Sequence, residues 1–472
     1  MQLRKWQKEC VALALNKFAS INQHFLCLAT PGAGKTTMAA EVAAILLEEG
    51  RIDFVLCFSP SIIISNDIRH TLEQRTKKRF DGFIGAGGGS FTYQGMSSLS
   101  NEMWELLKFY RVLVIFDEIH HCSGTTPENA NAWGEEIIAN IQHQAAYTLA
   151  LTGTPWRSDN TPIALAEYQG PDNHILCDYV YGLAGAIKDS VCRSPQVVVT
   201  NNNNISMQVG GGDTESFRSF SELLDSTSCP YQKIVENEAV IKHVISQANI
   251  KLTKIRRQNP SAGGLVVASS VDHALIILNI LRNELNESAV IATYRDNEPT
   301  TIITDFKGSS VPWIVSVGMI SEGTNIPRLQ ICCHLTRIKT ELHFRQILGR
   351  ILRVTNSPNQ EACLFMPAEK TLIEYAYRVA EDIPHDNSVV RLEHSDSHIC
   401  IDDVDITQGA IPDKTNNSDY QIDINESYTD QHIEGTTYQN QQSLLTQTYE
   451  ATLNVFGQFQ QDILSLNASP FE

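Results

Sequence analysis

Six consecutive residues, Asp117 to Cys122, bring together two carboxylates, two imidazoles and a thiol. Such a set could bind a transition metal through the histidines and the cysteine, or its carboxylates could hold Mg²⁺ and activate water. Zinc sites use spacings such as HExxH or CxxC, and neither occurs in this sequence. The apolar run before Asp117 favours the second chemistry, because it predicts a buried strand that ends at the two carboxylates.

A phosphate-binding loop is predicted further upstream, at ATPGAGKT (29–36). It lies between an apolar run and a stretch of helical spacing, which is the context that a Walker A loop requires. Backbone N–H groups of such a loop point at a polyphosphate, and the following helix adds its dipole. We expect Lys35 to reach the β- and γ-phosphates, Thr36 and Asp117 to ligate Mg²⁺, and Glu118 to orient and deprotonate the attacking water.

Both halves of the chain alternate short apolar runs with helical stretches. This alternation predicts βαβ units, and hence mostly parallel sheets that are covered on both faces. The polar, glycine-rich part of 170–235 predicts a linker or surface insertion, and 237–255 predicts an amphipathic helix. The predicted strands are 24–30, 54–59, 90–95, 111–117 and 146–153, then 264–269, 289–294, 313–318, 330–336 and 361–367.

The negative charge is concentrated at the end of the sequence. Of a formal net charge of −18 over 472 residues, the part from residue 381 onwards holds 17 acidic and two basic side chains. The nearly neutral remainder is compatible with a nucleic-acid partner. The acidic tail is predicted to be largely irregular, with one helix over 443–466, and it is either flexible or a docking segment for a partner protein.

Composition and local pattern also bear on the compartment. The eleven cysteines are scattered without a CxxC pair, which predicts reduced thiols. No apolar run is long enough to span a bilayer, and the first residues lack the pattern of a secretory signal. A cytoplasmic location is therefore expected.

Further motifs follow in a fixed order, and with the Walker A loop and DEIH they resemble the superfamily 2 helicases and translocases. The set looks most like the type III restriction-enzyme helicase subunit group and related DNA-repair translocases. The resemblance covers about residues 1–380 and implies two tandem RecA-like domains that bind one Mg-ATP between them. The motifs are LRKWQ (3–7), TGTP (152–155) with Trp156 and Arg157, SEGTNIP (321–327) and QILGRILR (346–353).

The resemblance also implies roles for individual residues. Gln346, Arg350 and Arg353 share one helix face by spacing, and the arginines would reach the phosphates from the second domain. His120 would connect the nucleotide site either to Gln346 or to Thr152 and Thr154, which couple hydrolysis to domain movement. Implied nucleotide contacts are Gln7, Thr30, Pro31, Gly32, Ala33, Gly34, Lys35, Thr36, Thr37, Gly323 and Asn325, the last of which replaces the usual Asp. Implied nucleic-acid contacts are Ser59, Ser61, Thr92, Gln94, Ser269 and Ser316.

These observations predict a first ATP-binding domain (1–168), a linker or insertion (169–236), a second domain (237–384) and the acidic tail (385–472). The expected activity is ATP-driven movement along DNA, with contacts mostly to the phosphate backbone. A partner protein would supply a nuclease or regulatory function in restriction, anti-phage defence or repair. Two alternatives are a DNA-stimulated ATPase switch that recruits a nuclease without unwinding, and an RNA helicase.

Overall fold

Two open sheets organise the part of the chain that the computed structural model describes. We refer to each sheet with the helices that cover it as the first lobe and the second lobe. The strands are mostly parallel, so the predicted α/β class is confirmed. The described residues are 2–20, 22–126, 129–154, 161–169, 174–209, 214–296, 298–320, 324–381, 389–390 and 451–465.

The first sheet has six strands, and every neighbouring pair in it is parallel. Its central strands are continuous apolar runs because helices cover both faces, as the complete burial of Val112–Asp117 illustrates. In spatial order the strands are Gly88–Thr92, Phe54–Ser59, Val112–Asp117, Tyr147–Thr152, His24–Ala29 and Tyr179–Tyr181. The helices are Lys5–Phe18, Lys35–Glu48, Ile62–Thr76, Asn101–Phe109 and Ala132–Asn140, with 3₁₀ turns at Tyr93–Ser98 and Ile119–His121.

The second sheet has seven strands, which are all parallel to their neighbours except the last one. In spatial order they are Ala289–Thr293, Trp313–Val317, Gly263–Ala268, Leu329–Leu335, Ala362–Pro367, Pro195–Asn202 and Phe459–Ser465. The helices of this part are Leu183–Lys188, Phe220–Ser226, Tyr231–Val235, Glu238–Arg256, Val271–Asn279 with a π-turn at Ile280–Glu284, Pro299–Gly308, Glu341–Ile351 and Lys370–Glu381.

Two small antiparallel sheets complete the described structure. One contains Thr214–Phe217, Ile205–Val209 and Ala451–Val455, and the other contains Val389–Val390, His174–Leu176 and Glu167–Gln169. Across the described ranges, no helix has the length and apolar character that crossing a bilayer requires.

The stretch that we predicted to be a linker or insertion contains part of the second sheet. Pro195–Asn202 lies between Ala362–Pro367 and Phe459–Ser465, and Ile205–Val209 forms a hairpin with Thr214–Phe217. The linker prediction was therefore wrong for these strands. The asparagine run that suggested a loop makes backbone contacts instead: the Asn201 side chain accepts a hydrogen bond from Phe220 N at 2.8 Å.

The helix predicted over 443–466 was wrong for the residues that are described there. Ala451–Val455 pairs with Ile205–Val209, and Phe459–Ser465 pairs with Pro195–Asn202. The turn between these two C-terminal strands is held by the asparagine run, since Asn202 Nδ2 donates to Gly457 O at 3.0 Å. Pairing with strands from a distant part of the chain has overridden the local helical spacing.

Candidate nucleotide site between the two lobes

The loop 29–36 has the backbone geometry of an anion-binding turn. It connects His24–Ala29 to the helix Lys35–Glu48. Gly32 (φ 82°) and Gly34 (φ 96°) are in the left-handed region, which glycine adopts without the penalty of a Cβ atom. The helix that starts at Lys35 directs its first N–H groups and its dipole towards the loop, so a phosphate fits here.

Lys35 links this loop to the acidic pair. Its side chain is nearly buried, and Nζ lies 3.1 Å from Glu118 Oε1 and 3.1 Å from Ala29 O. Although burial opposes ionisation of Glu118, the Lys35 charge keeps the pKa of that carboxyl below its usual range. Glu118 is therefore an ionised carboxylate next to the loop.

Asp117 ends the buried strand Val112–Asp117 and is 6% exposed. Burial and the adjacent Glu118 raise the pKa of Asp117 to about 7. Its Oδ1 has no hydrogen-bond partner among the described residues. A buried carboxylate oxygen without a donor is a suitable ligand for a hard cation, so Asp117 fits the predicted Mg²⁺ site, to which Thr36 in the first helical turn would add its hydroxyl.

Glu118 is held in position on both sides. Its backbone is left-handed at φ 53°, a conformation that is costly for a residue with a side chain and is common at functional sites. Its Oε2 accepts a hydrogen bond from Gly153 N at 3.1 Å. This arrangement fixes the carboxylate where a general base for water would be needed.

His120 connects the acidic pair to Thr152 and Thr154. Its Nδ1 lies 3.0 Å from Thr152 Oγ1, 3.4 Å from Thr154 Oγ1 and 3.5 Å from Glu118 Oε2. These distances are what the expected connection to Thr152 and Thr154 requires, and the role of His120 in coupling stays a prediction. Pro155, Trp156 and Arg157 lie outside the described residues.

His121 and Cys122 pack in the first lobe. The His121 ring lies 4.5 Å from the His120 ring, and Cys122 belongs to the buried core. Within the described ranges, no three His, Cys, Asp or Glu side chains converge as a metal site would require.

Two arginines of the second lobe lie side by side, and one of them contacts the phosphate loop. Arg350 lies in the helix Glu341–Ile351, which also carries Gln346, and Arg353 follows that helix. Arg350 Nη1 donates to Thr324 O at 2.8 Å, and Arg353 Nη1 donates to the same oxygen at 3.3 Å and to the Asn325 side chain.

The stem of Arg353 packs directly on the loop. A Cβ atom placed on Gly32 would lie 3.1 Å from Arg353 Cγ. Burial and the neighbouring Arg350 lower the pKa of Arg353 to about 9. Two neighbouring cations, one of which packs on an anion-binding turn, would be stabilised by a bound polyphosphate, because it compensates their mutual repulsion.

Residues near the N-terminus also contact the loop. Gln7 Nε2 donates to Gly34 O at 2.9 Å, and Gln7 Oε1 accepts from Arg4 N at 2.8 Å. Arg4 was missed as a site residue, although it lies within the LRKWQ motif, and its Nη1 donates to Ala33 O at 2.6 Å. A second missed residue, Cys192, donates its thiol to Pro31 O at 3.6 Å, and nothing in the local sequence marked it.

Three further residues were predicted to contact the nucleotide, namely Thr30, Thr37 and Gly323. Thr30 is buried and donates its N–H to Tyr181 O at 3.0 Å, and Thr37 lies in the first turn of Lys35–Glu48. Gly323 lies outside the described residues.

The six residues predicted to contact nucleic acid differ in how their side chains are used. Ser59 and Ser316 are buried, and the Ser59 hydroxyl donates to Ser61 O and Phe91 O. The hydroxyls of Ser61 and Thr92 cap helices by accepting from Ile64 N and Gly95 N.

The Ser269 side chain is engaged within the protein, since its Oγ lies 2.8 Å from both Glu236 Oε1 and His273 Nδ1. The Gln94 side chain is exposed. Only Gln94 therefore presents an exposed side chain, and contacts of all six with nucleic acid stay predictions.

Comparison with known proteins agrees with this geometry. Residues 1–157 match the family model described as type III restriction enzyme, res subunit. A protein of Mycobacterium leprae (strain TN) without an assigned function is 29% identical over 394 residues, which cover 79% of this chain and 63% of that protein. Irc3 of Schizosaccharomyces pombe (strain 972), which is named as a mitochondrial ATP-dependent helicase, is 25% identical over 75% of this chain and 55% of that protein. The chain thus spans less than two thirds of the length of these relatives.

Solved structures share the fold at low sequence identity. A fragment named as an HsdR subunit of a type I restriction enzyme from Vibrio vulnificus YJ016 has a TM-score of 0.53 at 16% identity, over 79% of this chain and 66% of that chain. The ATP-dependent type ISP restriction-modification enzyme LlaBIII bound to DNA has a TM-score of 0.52 at 13% identity, over 81% of this chain and 30% of that chain. The predicted pair of RecA-like lobes is confirmed. Residues 1–157 are thus similar to the type III restriction-enzyme res subunit, and the two lobes share the fold of the solved restriction-enzyme structures.

Proposed function

We propose that this protein is a DNA helicase or translocase, in which ATP hydrolysis between the two lobes drives movement along DNA. The observation that carries the proposal is the contact of Arg353 with Gly32, because it brings an arginine of the second lobe onto the phosphate loop of the first. Closing and opening of this contact during the ATP cycle would move the lobes relative to each other.

Each residue of the site has a defined task in this proposal. Lys35 would exchange the Glu118 carboxylate for β- and γ-phosphate oxygens, and this exchange would release Glu118 to accept a proton from the attacking water. Asp117 and Thr36 would hold Mg²⁺, which would supply positive charge beside the bound phosphates. Arg350 and Arg353 would stabilise the charge that develops in the transition state, an effect worth about 10³–10⁵ in rate for arginine fingers.

DNA is the proposed track because the matching family model describes a restriction-enzyme subunit, and because the structure of LlaBIII with the same fold is bound to DNA. Superfamily members of this build would contact mainly the phosphate backbone, which gives salt-sensitive binding with little sequence preference. We further propose a partner protein that supplies a nuclease or regulatory function in restriction, anti-phage defence or repair. Co-purification from native extract tests this part, and recovery of a lone chain would contradict it.

The central experiment measures ATP hydrolysis with duplex DNA, single-stranded DNA and RNA. Stimulation by DNA, with movement detected by displacement of a triplex-forming strand, supports the proposal. Stimulation by RNA alone would instead make the protein an RNA-dependent enzyme. DNA stimulation without displacement or unwinding would identify a switch that recruits another protein.

Two variants test the site in the same assay. Lys35→Ala and Glu118→Gln should each lower kcat by at least about 10²-fold, because they remove phosphate binding and the general base. Lys8→Ala serves as a control, since Lys8 is exposed on the helix Lys5–Phe18 and should leave the rate unchanged. Hydrolysis at the wild-type rate by either site variant would contradict the assignment.

A further inference from the structure

The chain passes from the first lobe to the second through a short connector, residues 182–194. It leaves the first sheet after Tyr179–Tyr181, forms the helix Leu183–Lys188 and enters the second sheet at Pro195–Asn202. This part fell within the predicted linker or insertion. The structure instead places Cys192 of the connector against both the phosphate loop and residues 350–353, which we call the arginine segment, and it places Arg193 against that segment.

The connector and the residue just before it each contact the phosphate loop. Thr30 N donates to Tyr181 O, the last residue before the connector, at 3.0 Å. Cys192 donates its thiol to Pro31 O at 3.6 Å, and a Cβ atom on Gly32 would lie 3.9 Å from Cys192 Sγ. A movement of the phosphate loop would therefore push directly on the connector.

Cys192 and Arg193 also pair with the backbone around Arg353. Cys192 and Arg353 form an isolated antiparallel bridge, and Arg193 N donates to Leu352 O at 2.7 Å. Arg353 and Leu352 are thus joined through their backbone to Cys192, which contacts the phosphate loop, and to Arg193.

The Arg193 side chain extends this pairing into the second lobe. It is 1% exposed, and Nη1 donates to Leu329 O at 2.6 Å and to Ile351 O at 3.2 Å. Its other acceptors are Pro327 O, Thr355 Oγ1 and Gln360 Oε1. Ile351 ends the helix that carries Arg350, and a cation is favourable at the C-terminal end of a helix.

All of these acceptors are neutral. Among the described residues, no carboxylate forms an ion pair with Arg193, and burial lowers the pKa of its guanidinium to about 10, so it stays charged at neutral pH. A buried cation without a counter-ion opposes folding, and the fixed fork of a guanidinium is the side chain that can join several carbonyl groups at once. Arg193 therefore serves to join several carbonyl groups by hydrogen bonds and not to form an ion pair.

We infer that Arg193 is a positioning residue for Arg350 and Arg353, because it joins the connector to the end of their helix and so sets their distance from the phosphate loop. This inference rests on the proposed function, in which the two arginines act on the bound phosphates. Arg193 itself touches no residue of the phosphate loop in the described contacts, so its effect passes through the arginine segment.

A second buried arginine provides a matched control. Arg328 is also in the second lobe, is 7% exposed and donates to the carbonyl oxygens of Phe306, Ser261 and Val311. It precedes the strand Leu329–Leu335 just as Arg193 precedes Pro195–Asn202, but its own hydrogen bonds go to residues 261, 306 and 311 and not to the residues around Arg353. Arg328→Lys removes the same kind of hydrogen bonding but none of the described hydrogen bonds of residues 350–353.

The test compares Arg193→Lys, Arg328→Lys and Arg353→Gln, and combines the first and last in a double-mutant cycle. We expect Arg193→Lys to lower kcat of DNA-stimulated ATP hydrolysis by about ten- to 10²-fold, as misplacement of a catalytic group does, with KM for ATP within about twofold of wild type. In the Arg353→Gln background the same change should have little further effect on kcat. Arg328→Lys should lower the melting temperature by about as much as Arg193→Lys does, but it should leave kcat unchanged.

The outcomes separate the inference from the proposed function. Multiplicative losses in the double variant, or an equal loss of kcat in Arg328→Lys, would show that Arg193 has only a structural role and would overturn the inference. Wild-type kcat in Arg353→Gln alone would overturn the arginine assignment and the inference with it. If Arg193→Lys does not fold, Thr355→Val removes one acceptor of the guanidinium, and its smaller loss of kcat should likewise vanish in the Arg353→Gln background.

Discussion

Gly349 of the second lobe faces Pro31 of the phosphate loop so closely that a Cβ atom at position 349 would lie 2.7 Å from Pro31 Cβ. Gly349 is in the helix Glu341–Ile351, one residue before Arg350. The glycine therefore permits the approach that lets Arg353 pack on Gly32. In the QILGRILR motif, the glycine and the last arginine are thus parts of one contact surface.

Gly349→Ala should hinder this approach. The methyl group must displace either the loop or the helix, and we expect kcat to fall by about ten- to 10²-fold, as for other small misplacements of catalytic groups. Binding of a fluorescent ATP analogue should be less affected, because the first lobe supplies the loop and Lys35. Gly308→Ala is the control, since a Cβ atom at this helical glycine meets nothing within 4 Å. An unchanged kcat in Gly349→Ala would mean that hydrolysis does not use this contact.

His120→Ala should separate hydrolysis from its stimulation by nucleic acid. The imidazole is the described link between Glu118 and the pair Thr152 and Thr154. Its loss should lower the stimulation of ATP hydrolysis by nucleic acid by at least about fivefold, which is the lower end of the usual range for coupling between two sites. Nucleotide binding should be retained. His121→Ala removes a neighbouring buried imidazole and should keep the stimulation. Full stimulation in His120→Ala would contradict the coupling role.

Local pattern was sufficient for much of the fold, because buried parallel strands are continuous apolar runs and the functional groups follow at their carboxyl ends. Asp117 is an example: the strand Val112–Asp117 lies within the predicted 111–117. The C-terminal strands were not predictable in this way. Asn202 contacts Gly457 across 255 positions of sequence, and no local period records such a partner. Arg193 was missed for the same reason, since its acceptors lie in two distant stretches of the second lobe, 327–329 and 351–360.

Gly457→Ala should destabilise the C-terminal strands. A Cβ atom here would lie 2.3 Å from Asn203 Oδ1 and 2.5 Å from Asn204 N, so the turn must move. We expect a loss of about 1–3 kcal/mol in the free energy of unfolding, as for other overpacked sites, measured by denaturant titration. Displacement of Phe459–Ser465 also uncovers the edge of Pro195–Asn202, so light scattering should show more aggregation. If Gly457→Ala had the same unfolding free energy and light scattering as Gly308→Ala, the pairing of Phe459–Ser465 with Pro195–Asn202 would be contradicted.

The free energy of unfolding should decrease in mild acid because of a buried histidine in the second lobe. Burial and the nearby His343 lower the pKa of His334 to about 3, and neither of its ring nitrogens has a hydrogen-bond partner among the described residues. In the unfolded chain a histidine titrates near its ordinary value of about 6.5. Below that pH the unfolded state binds a proton that the folded state does not, so stability falls as the pH decreases from about 6.5 towards 3. At pH 5 the loss from this one group is about 2 kcal/mol, and it is absent above pH 7.

His334→Phe should reduce this acid sensitivity. Denaturant titrations at pH 7.5 and pH 5 give the change in unfolding free energy for each variant, and the difference between the two pH values should shrink by about 2 kcal/mol relative to wild type. Replacement of the exposed His143 by Leu is the control and should leave the difference as it is. An unaltered pH dependence in His334→Phe would show that His334 is protonated equally in the folded and unfolded states, which its burial without a hydrogen-bond partner argues against.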